Sequence, residues 1–472
     1  MARRRGVDMG MSLRWEGGVA VAPPGLSGYA ASDLRNLAPP SRHPMGIPTT
    51  VVILAAGKGT RMKSTRPKVL SPLCGKSLLG WVLGQAESLD PDRVVLVIGH
   101  GGEAVEAEAR ALLPDRDLRF VVQEPQLGTG HAVQMAAGEL EGSERVVVLY
   151  GDMALLRSES LQELVEEQAR AGPGSIAMMT ACSPDPTGYG RVLRGAEGEF
   201  SAIVEERDCT DGQRLVDEVN TGVYCFDGAA LRADLPRLSS DNAQGEYYIT
   251  DLPGMAVEAG RPVVTVDLDL GESLGVNTLS QLAEVRWAMQ MRLLEAHMDA
   301  GVVIEDPAST YIDAGVSIGA GTRILPCTVI RSGVTIGTDC EVGPFSHLRV
   351  GTRLAAGAEV GNFTECKNAS LGAGTKAKHL SYLGDAEVGA GTNIGAGTIF
   401  ANYDGKAKHM TRVGDGAFVG SGTTIVAPNE VPDGATTGAG AVLTRESGMG
   451  PGEVWVGVPA RKMRPSDGTG AN

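Results

Sequence analysis

The chain has 472 residues and a formal net charge of −15, with its basic residues gathered only in short clusters. That length excludes a single ordinary core, and the charge excludes a general nucleic-acid surface while leaving room for a local pocket for sugar phosphates or polyphosphates. Seven scattered cysteines without a CxxC pair exclude a disulfide framework and structural zinc, and no run of eighteen apolar residues is present to span a membrane, so the chain reads as a cytoplasmic protein with reduced thiols.

Residues 1–48 open with Arg3-Arg4-Arg5 but carry no apolar signal core, and Gly and Pro accumulate toward Pro39-Pro40. They are expected to form a disordered extension, with Met45 as an alternative start. From Thr49 the text changes. Val51-Val-Ile-Leu54 is a buried-strand run that enters the glycine-rich turn Ala55-Ala-Gly-Lys-Gly-Thr60, the opening of an α/β unit. Strand-like runs at 93–98, 118–122 and 145–150 alternate with helical stretches at 77–89 and 158–171, the rhythm of a Rossmann-like, doubly wound parallel sheet over 49–277. Residues 278–301 have helical spacing, no internal Gly or Pro, and end at Gly301, so they predict one linker helix.

Beyond it, Ile312, Ile318, Ile324, Ile330, Ile336, Val342, Leu348, Leu354 and Val360 stand six apart without a gap. A coil of three short parallel strands repeats in this way, so residues 302–462 predict a left-handed parallel β-helix, with a flexible tail over 463–472. The register breaks between Val360 and Val388 and again between Phe400 and Val413. Polar groups gather at those breaks, and His379 stands among them. A lone histidine on a solenoid is usually a surface residue, but an imidazole titrating near neutrality also suits proton removal from an attacking amine.

In the first half, the backbone of the 54–62 turn can approach phosphates closely, and Lys58 and Arg61 supply cationic donors. The bare Gly-x-Gly is weak. It gains specificity from Arg66-Pro-Lys68, and from Gln123-Glu-Pro-Gln-Leu-Gly-Thr-Gly-His131, Tyr150-Gly-Asp152, Asp185-Pro-Thr-Gly-Tyr-Gly-Arg191, Val204-Glu205, Asn220-Thr-Gly222, Gln244-Gly-Glu-Tyr-Tyr-Ile-Thr-Asp251 and Gly275-Val-Asn277 in that order. These motifs resemble the sugar-nucleotide pyrophosphorylases and, more narrowly, the bifunctional UDP-N-acetylglucosamine pyrophosphorylase / glucosamine-1-phosphate N-acetyltransferase family, over residues 49 to about 462.

The resemblance implies a uridine-nucleotide and sugar site at Leu54, Ala55, Ala56, Gly57, Lys68, Gln123, Gly128, Thr129, Tyr150, Gly151, Asp152, Gly190, Glu205, Asn220 and Asn277. Asp152 and Asn277 fall on its Mg²⁺ ligands, and Arg61 and Lys68 on its catalytic cations. In the β-helix it implies His379 as general base, Arg349, Lys367, Tyr382 and Asn393 as the glucosamine 1-phosphate site, and Ala396, Asn402, Tyr403, Ser421 and Ala439 as acetyl-CoA contacts. Glu365 is the candidate for orienting His379. UTP and acetyl-CoA are the implied co-substrates, a homotrimer the implied assembly, and peptidoglycan and lipopolysaccharide precursors the implied destination. The chain departs from the family at Ala154, where Pro is usual, and at Gly457, where an Arg contacts CoA; Arg461 or Lys462 is the candidate substitute. Three readings compete: a uridyltransferase that uses its β-helix only as a scaffold, which His379, Lys367 and Asn402-Tyr403 disfavour; a glucose 1-phosphate enzyme, which the Gln126-Leu-Gly-Thr-Gly-His131 and Gln244-Gly-Glu-Tyr-Tyr248 blocks disfavour; and a non-catalytic assembly protein, which Asp152 and Lys68 disfavour.

Overall fold

The computed structural model describes residues 46–463, so the expected extension over 1–48 and tail over 463–472 fall almost wholly outside the described residues. Val51, Val52 and Ile53 are fully buried because Thr49–Leu54 lies mid-sheet, paired in parallel with Arg93–Ile98 on one side and Arg145–Tyr150 on the other. A strand covered on both faces shows no polar alternation, which accounts for the unbroken Val-Val-Ile-Leu run. Across the sheet lie, in order, the strands that begin at Val263, Ile176, Glu218, Arg145, Thr49, Arg93 and Leu118.

These pairings are parallel except at Glu218–Asp227, which runs antiparallel to both neighbours. The rhythm of the sequence predicts a parallel sheet and does not reveal this strand. The register of Glu218–Asp227 slips between Asn220 and Tyr224. Helices at Leu78–Glu87 and Ser158–Ala171 stand where the spacing places them, the first begun by Ser77, whose hydroxyl accepts the Gly80 N–H at 2.9 Å.

Helix Leu279–Asp299 opens with a capping box in which the Thr278 hydroxyl and Gln281 side chain serve each other's backbone N–H groups. It ties the two halves together. The Gln290 amide donates to the Ile312 carbonyl at 3.0 Å, Arg286 donates to Pro72 at 2.9 Å, and the Ala314 N–H donates to Cys74 at 2.9 Å.

All nine residues of the six-fold ladder are buried. Each ends a two-residue strand or follows its first residue, and strands stack in parallel onto the next coil, Tyr311 on Val329 and Val329 on His347, eighteen positions apart. The breaks have a simple geometry. Glu359 pairs with Lys376 and Lys376 with Asn393, seventeen positions on, so one corner residue is missing and the seven-residue strands Glu365–Leu371 and Tyr382–Val388 run straight from one face into the next. Asn393 then pairs with Phe418, twenty-five positions on, because the segment 401–410 loops out of the coil. An antiparallel turn, Trp455 opposite Lys462, closes the far end.

Candidate active sites

In the first half, three distant segments meet. Lys68 forms an ion pair with Asp152 and donates to the Asn277 side-chain oxygen at 3.0 Å. Asp152 ends the Arg145–Tyr150 strand's continuation, Lys68 opens a short turn after Arg66-Pro67, and Asn277 immediately precedes the capped helix, its N–H held by Gln281 at 2.9 Å. Lys68 and Asp152 side chains are both close to nine-tenths covered, so their attraction is little screened by water.

Leu54, Ala55, Ala56 and Gly57 line the carboxyl end of the central strand, and the Gly151 N–H donates to Leu54 at 3.0 Å, fixing Tyr150-Gly151-Asp152 beside them. Gln126 bonds the Ala56 carbonyl, and the Gln123 amide donates to the Gly128 carbonyl at 2.8 Å. Gly128 adopts φ +104°, and a Cβ there would lie 2.5 Å from the Tyr247 carbonyl oxygen, so only glycine lets the two loops close over each other. Thr129 accepts the Ile249 N–H at 3.2 Å. The 244–251 block therefore packs directly on the 123–131 loop. Burial pushes the Tyr150 hydroxyl well above its ordinary value, with the Glu205 charge adding to it and a bond to Thr129 opposing it.

Glu205, Asn220 and Gly190 converge on the far side of this cleft. The Asn220 N–H donates to the Gly190 carbonyl at 2.9 Å, and the Asn220 side-chain oxygen accepts the Tyr224 hydroxyl at 2.9 Å. Glu205 accepts the Thr250 hydroxyl at 2.9 Å. Its carboxyl is raised by burial above the usual carboxylate range; the Thr250 bond opposes the shift, and Asp251, Asp208 and Glu246 reinforce it. Arg61 lies on the exposed turn Thr60–Met62, outside the buried triangle of Lys68, Asp152 and Asn277.

The β-helix builds its site along one edge. The Leu380 N–H donates to Asn362 at 3.0 Å, Gly397 to His379 at 3.3 Å, Gly422 to Ala396 at 2.7 Å and Gly440 to Ser421 at 2.7 Å. These bonds stack Asn362, His379, Ala396, Ser421 and Ala439 in a single file on successive coils. The left-handed corner beside that file changes character at His379. Phe345, Phe363 and Leu380 occupy it below, all exposed, with the two rings stacked at 5.2 Å, whereas Gly397, Gly422 and Gly440 occupy it above. At those three positions the upper corner carries no side chain, and only the small Ala396, Ser421 and Ala439 stand beside it.

Around the corner, Arg349 pairs with Glu365 at 2.6 Å. Lys367 faces Lys408, whose charge holds the Lys367 ammonium below the usual lysine value, with Arg349 adding to the effect and Asp385 opposing it. Two lysines and an arginine thus gather at one place, with the Glu365 and Asp385 carboxylates beside them. Asn402 bonds Asp385, and a Cβ on Gly384 would meet both the Tyr382 hydroxyl and the Asn402 amide within 3 Å, which locates those two polar groups side by side. Tyr403 is exposed beside them on the extruded loop. Asn393 stands apart, on an adjoining face in register with Lys376 and Phe418.

The structure pairs the candidate orienting residue differently: the Glu365 carboxylate accepts from Arg349 at 2.6 Å, and the His379 Nδ1 lies 3.0 Å from the Asn362 side-chain oxygen. Lys408 and Asn362 were both missed from the sequence. Lys408 sits in an irregular loop with no periodicity to mark it, though its placement in the second register break was a signal. Of the two candidate substitutes at the terminal arm, Lys462 is paired with Glu453, while Arg461 carries only the adjacent Ala460 carbonyl.

Comparisons with known proteins agree with this architecture. A family described as MobA-like NTP transferase domain matches residues 51–220, and the bacterial transferase hexapeptide family, of six repeats, matches residues 315–350. Over 84% of this chain, the Bifunctional protein GlmU of Acinetobacter baylyi is 42% identical, with 93% of that protein covered. Its counterpart in Alkalilimnicola ehrlichii is 47% identical with 92% covered, and that in Thermobifida fusca 43% identical with 90% covered.

Proposed function

The chain belongs to the family of bifunctional GlmU proteins, and from that premise we propose that it makes UDP-N-acetylglucosamine in two steps at two separate sites. It is a transferase with a nucleotidyltransferase half and an acetyltransferase half.

In the first step the amine of glucosamine 1-phosphate attacks the thioester carbonyl of acetyl-CoA. Nε2 of His379 takes the amine proton, the C–S bond breaks, and the proton passes to the departing CoA sulfur. Arg349, Lys367 and Lys408 hold the phosphate and Tyr382 the sugar, with Asn393, on the adjoining face, meeting a sugar seated against a neighbouring copy of the chain. The edge of small residues at Ala396, Ser421 and Ala439, cleared by the neighbouring glycines, takes the CoA arm, with Asn402 and Tyr403 beside it.

In the second step a phosphate oxygen of N-acetylglucosamine 1-phosphate attacks the α-phosphorus of UTP in line and pyrophosphate leaves. No protein nucleophile is needed. Leu54 to Gly57, Gln123, Gly128 and Thr129 seat the nucleotide, Gly190, Glu205 and Asn220 the amino sugar, and Lys68 with Arg61 offsets the charge that builds on the phosphates.

Magnesium fits the first half. Among the described residues no three of His, Cys, Asp or Glu gather into a cage, but the Asp152 carboxylate and Asn277 amide oxygen already converge on one cation, Lys68. Two hard oxygen donors of this kind suffice for Mg²⁺ when phosphates and water complete its shell. Asp152 and Asn277 would hold it, and when bound it supplies neutralisation of phosphate charge.

The exposed Phe345, Phe363 and Leu380 on one edge support a homotrimer, in which such a face is covered by another copy. No helix among the described residues is long and apolar enough to cross a membrane, in keeping with work on cytoplasmic precursors of peptidoglycan and lipopolysaccharide.

The convergence of Lys68, Asp152 and Asn277 carries this reading. It is tested by following thiol release from acetyl-CoA and pyrophosphate release from UTP separately in wild type, Asp152→Ala and His379→Ala. Each variant is expected to lose one activity and keep the other. Loss of both in either variant, or of neither, would refute the two-site assignment.

A further inference from the structure

Every base that works through one imidazole nitrogen needs something to hold the other. A neutral imidazole exists as two tautomers, and only the one protonated at Nδ1 leaves a lone pair on Nε2 to accept a proton. His379 ends the strand Lys376–His379 on the exposed edge, where no packing fixes its ring.

Among the described residues its ring has one side-chain hydrogen bond, between Nδ1 and the Asn362 side-chain oxygen, at 3.0 Å. Asn362 ends Glu359–Asn362, the strand directly below, and is the registered partner of His379. The bond is further set by the backbone, since the Leu380 N–H donates to the Asn362 carbonyl at 3.0 Å. Both residues therefore leave their strands at the same corner, one coil apart.

We propose that Asn362 is the positioning residue of the acetyl-transfer base: it accepts the Nδ1 proton of His379, selects that tautomer, and turns Nε2 up the edge toward Ala396. This rests on the acetyltransferase reading of His379. The placement is chemically apt because Asn362 lies on the coil below, on the side away from Ala396, Ser421 and Ala439, so it does not compete for the acetyl donor. An amide is also neutral. A carboxylate there would favour the imidazolium and spend the base. Of the charged side chains on the coils packed around this corner, Glu359 pairs with Lys376 and Lys378 and Glu365 with Arg349, while Lys367 faces Lys408, with Asp385 acting on it.

The test measures acetyl-transfer kinetics and their pH profile in the full-length protein for wild type, Asn362→Ala, Asn362→Asp, Glu365→Gln and His379→Ala, with pyrophosphate release from UTP as a check that each variant is folded. Asn362→Ala is expected to lower kcat about 10–100-fold with little change in either KM, the usual scale for losing the group that orients a working imidazole. Asn362→Asp is expected to recover most of kcat at high pH, with the acid limb of its profile moved upward by about one unit. Glu365→Gln is expected to raise KM for glucosamine 1-phosphate instead. An Asn362→Ala enzyme within twofold of wild type overturns the proposal, as does a loss confined to KM or a Glu365→Gln enzyme with the kcat loss expected of Asn362→Ala. If wild type and His379→Ala transfer acetyl equally well, the reading of His379 itself has failed, a result distinct from all of these.

Discussion

Lys68 and Asn277 are 209 residues apart in the chain and 3.0 Å apart in space, and Asp152 closes the triangle by pairing with the same ammonium. One cation thus sits between two oxygens that are expected to share a divalent metal. Replacing Lys68 by Ala should lower the rate of pyrophosphate release from UTP by about 10²–10³-fold, the range for deleting a charge-stabilising donor, and leave acetyl transfer unchanged. Paired coupled assays on one preparation check it.

Asn277 has no strand of its own to hold it; the capping box of the following helix does so, through Gln281. Thr278→Ala should cost about 1 kcal/mol in stability, as N-cap losses do. It should also raise the magnesium concentration needed for half-maximal uridylyl transfer. A thermal melt reads the first effect and a magnesium titration the second, and an unchanged titration would separate the cap from the metal ligand.

Glu205 makes the fold pH-sensitive. Its folded carboxyl titrates above the ordinary value of 4.5, chiefly because it is buried. The stability that comes from its protonated form is therefore complete below that ordinary value and is lost as pH rises through the higher folded one. Glu205→Gln should melt above wild type at neutral pH, and the two curves should converge in acid. Melting temperatures across that range test the sign directly. The same variant should bind N-acetylglucosamine 1-phosphate more weakly.

Lys408 approaches Lys367 closely enough to depress its titration. Two like charges held together, with Asp385 only partly offsetting them, favour an anion. Lys408→Ala should raise KM for glucosamine 1-phosphate about tenfold while leaving KM for acetyl-CoA in place, and added salt should narrow the difference between the enzymes. Steady-state kinetics at low and high ionic strength provide the check.

Gly128→Ala would place a methyl group against the Tyr247 carbonyl in a left-handed backbone. A cost of about 1–3 kcal/mol is expected from the strained backbone alone, together with a higher KM for UTP. Calorimetric melting and UTP titration distinguish this from a variant that merely folds poorly, which would lose kcat in proportion to inactive protein.

The regular parts of this molecule were legible because one physical constraint repeats there. A buried side chain every six residues is imposed by the triangular coil, from Ile312 to Val360, and an unbroken Val-Val-Ile-Leu run is imposed by a strand with helices on both faces. The antiparallel strand Glu218–Asp227 was not, since direction leaves no mark on a buried strand's composition. The triangle of Lys68, Asp152 and Asn277 joins three segments whose meeting no local pattern encodes; only a family resemblance put them together. The partner of Glu365 was hidden for a related reason: Arg349 reaches its carboxylate from the coil below. Asn362, an unremarked amide at a corner, became visible only once the coils were stacked.

The stacked corner also works as a ruler. His379 and Ala439 are separated by three coil steps, about 14 Å at the usual spacing between paired strands, along an edge cleared by Gly397, Gly422 and Gly440. A donor has to be long and thin to deliver its acetyl group at one end of that span while gripping the other. If His379 is the base and this edge takes the donor, as proposed, short thioesters bearing the same acetyl group are expected to reach the imidazole yet leave most of the edge untouched, and so to be poorer donors than acetyl-CoA.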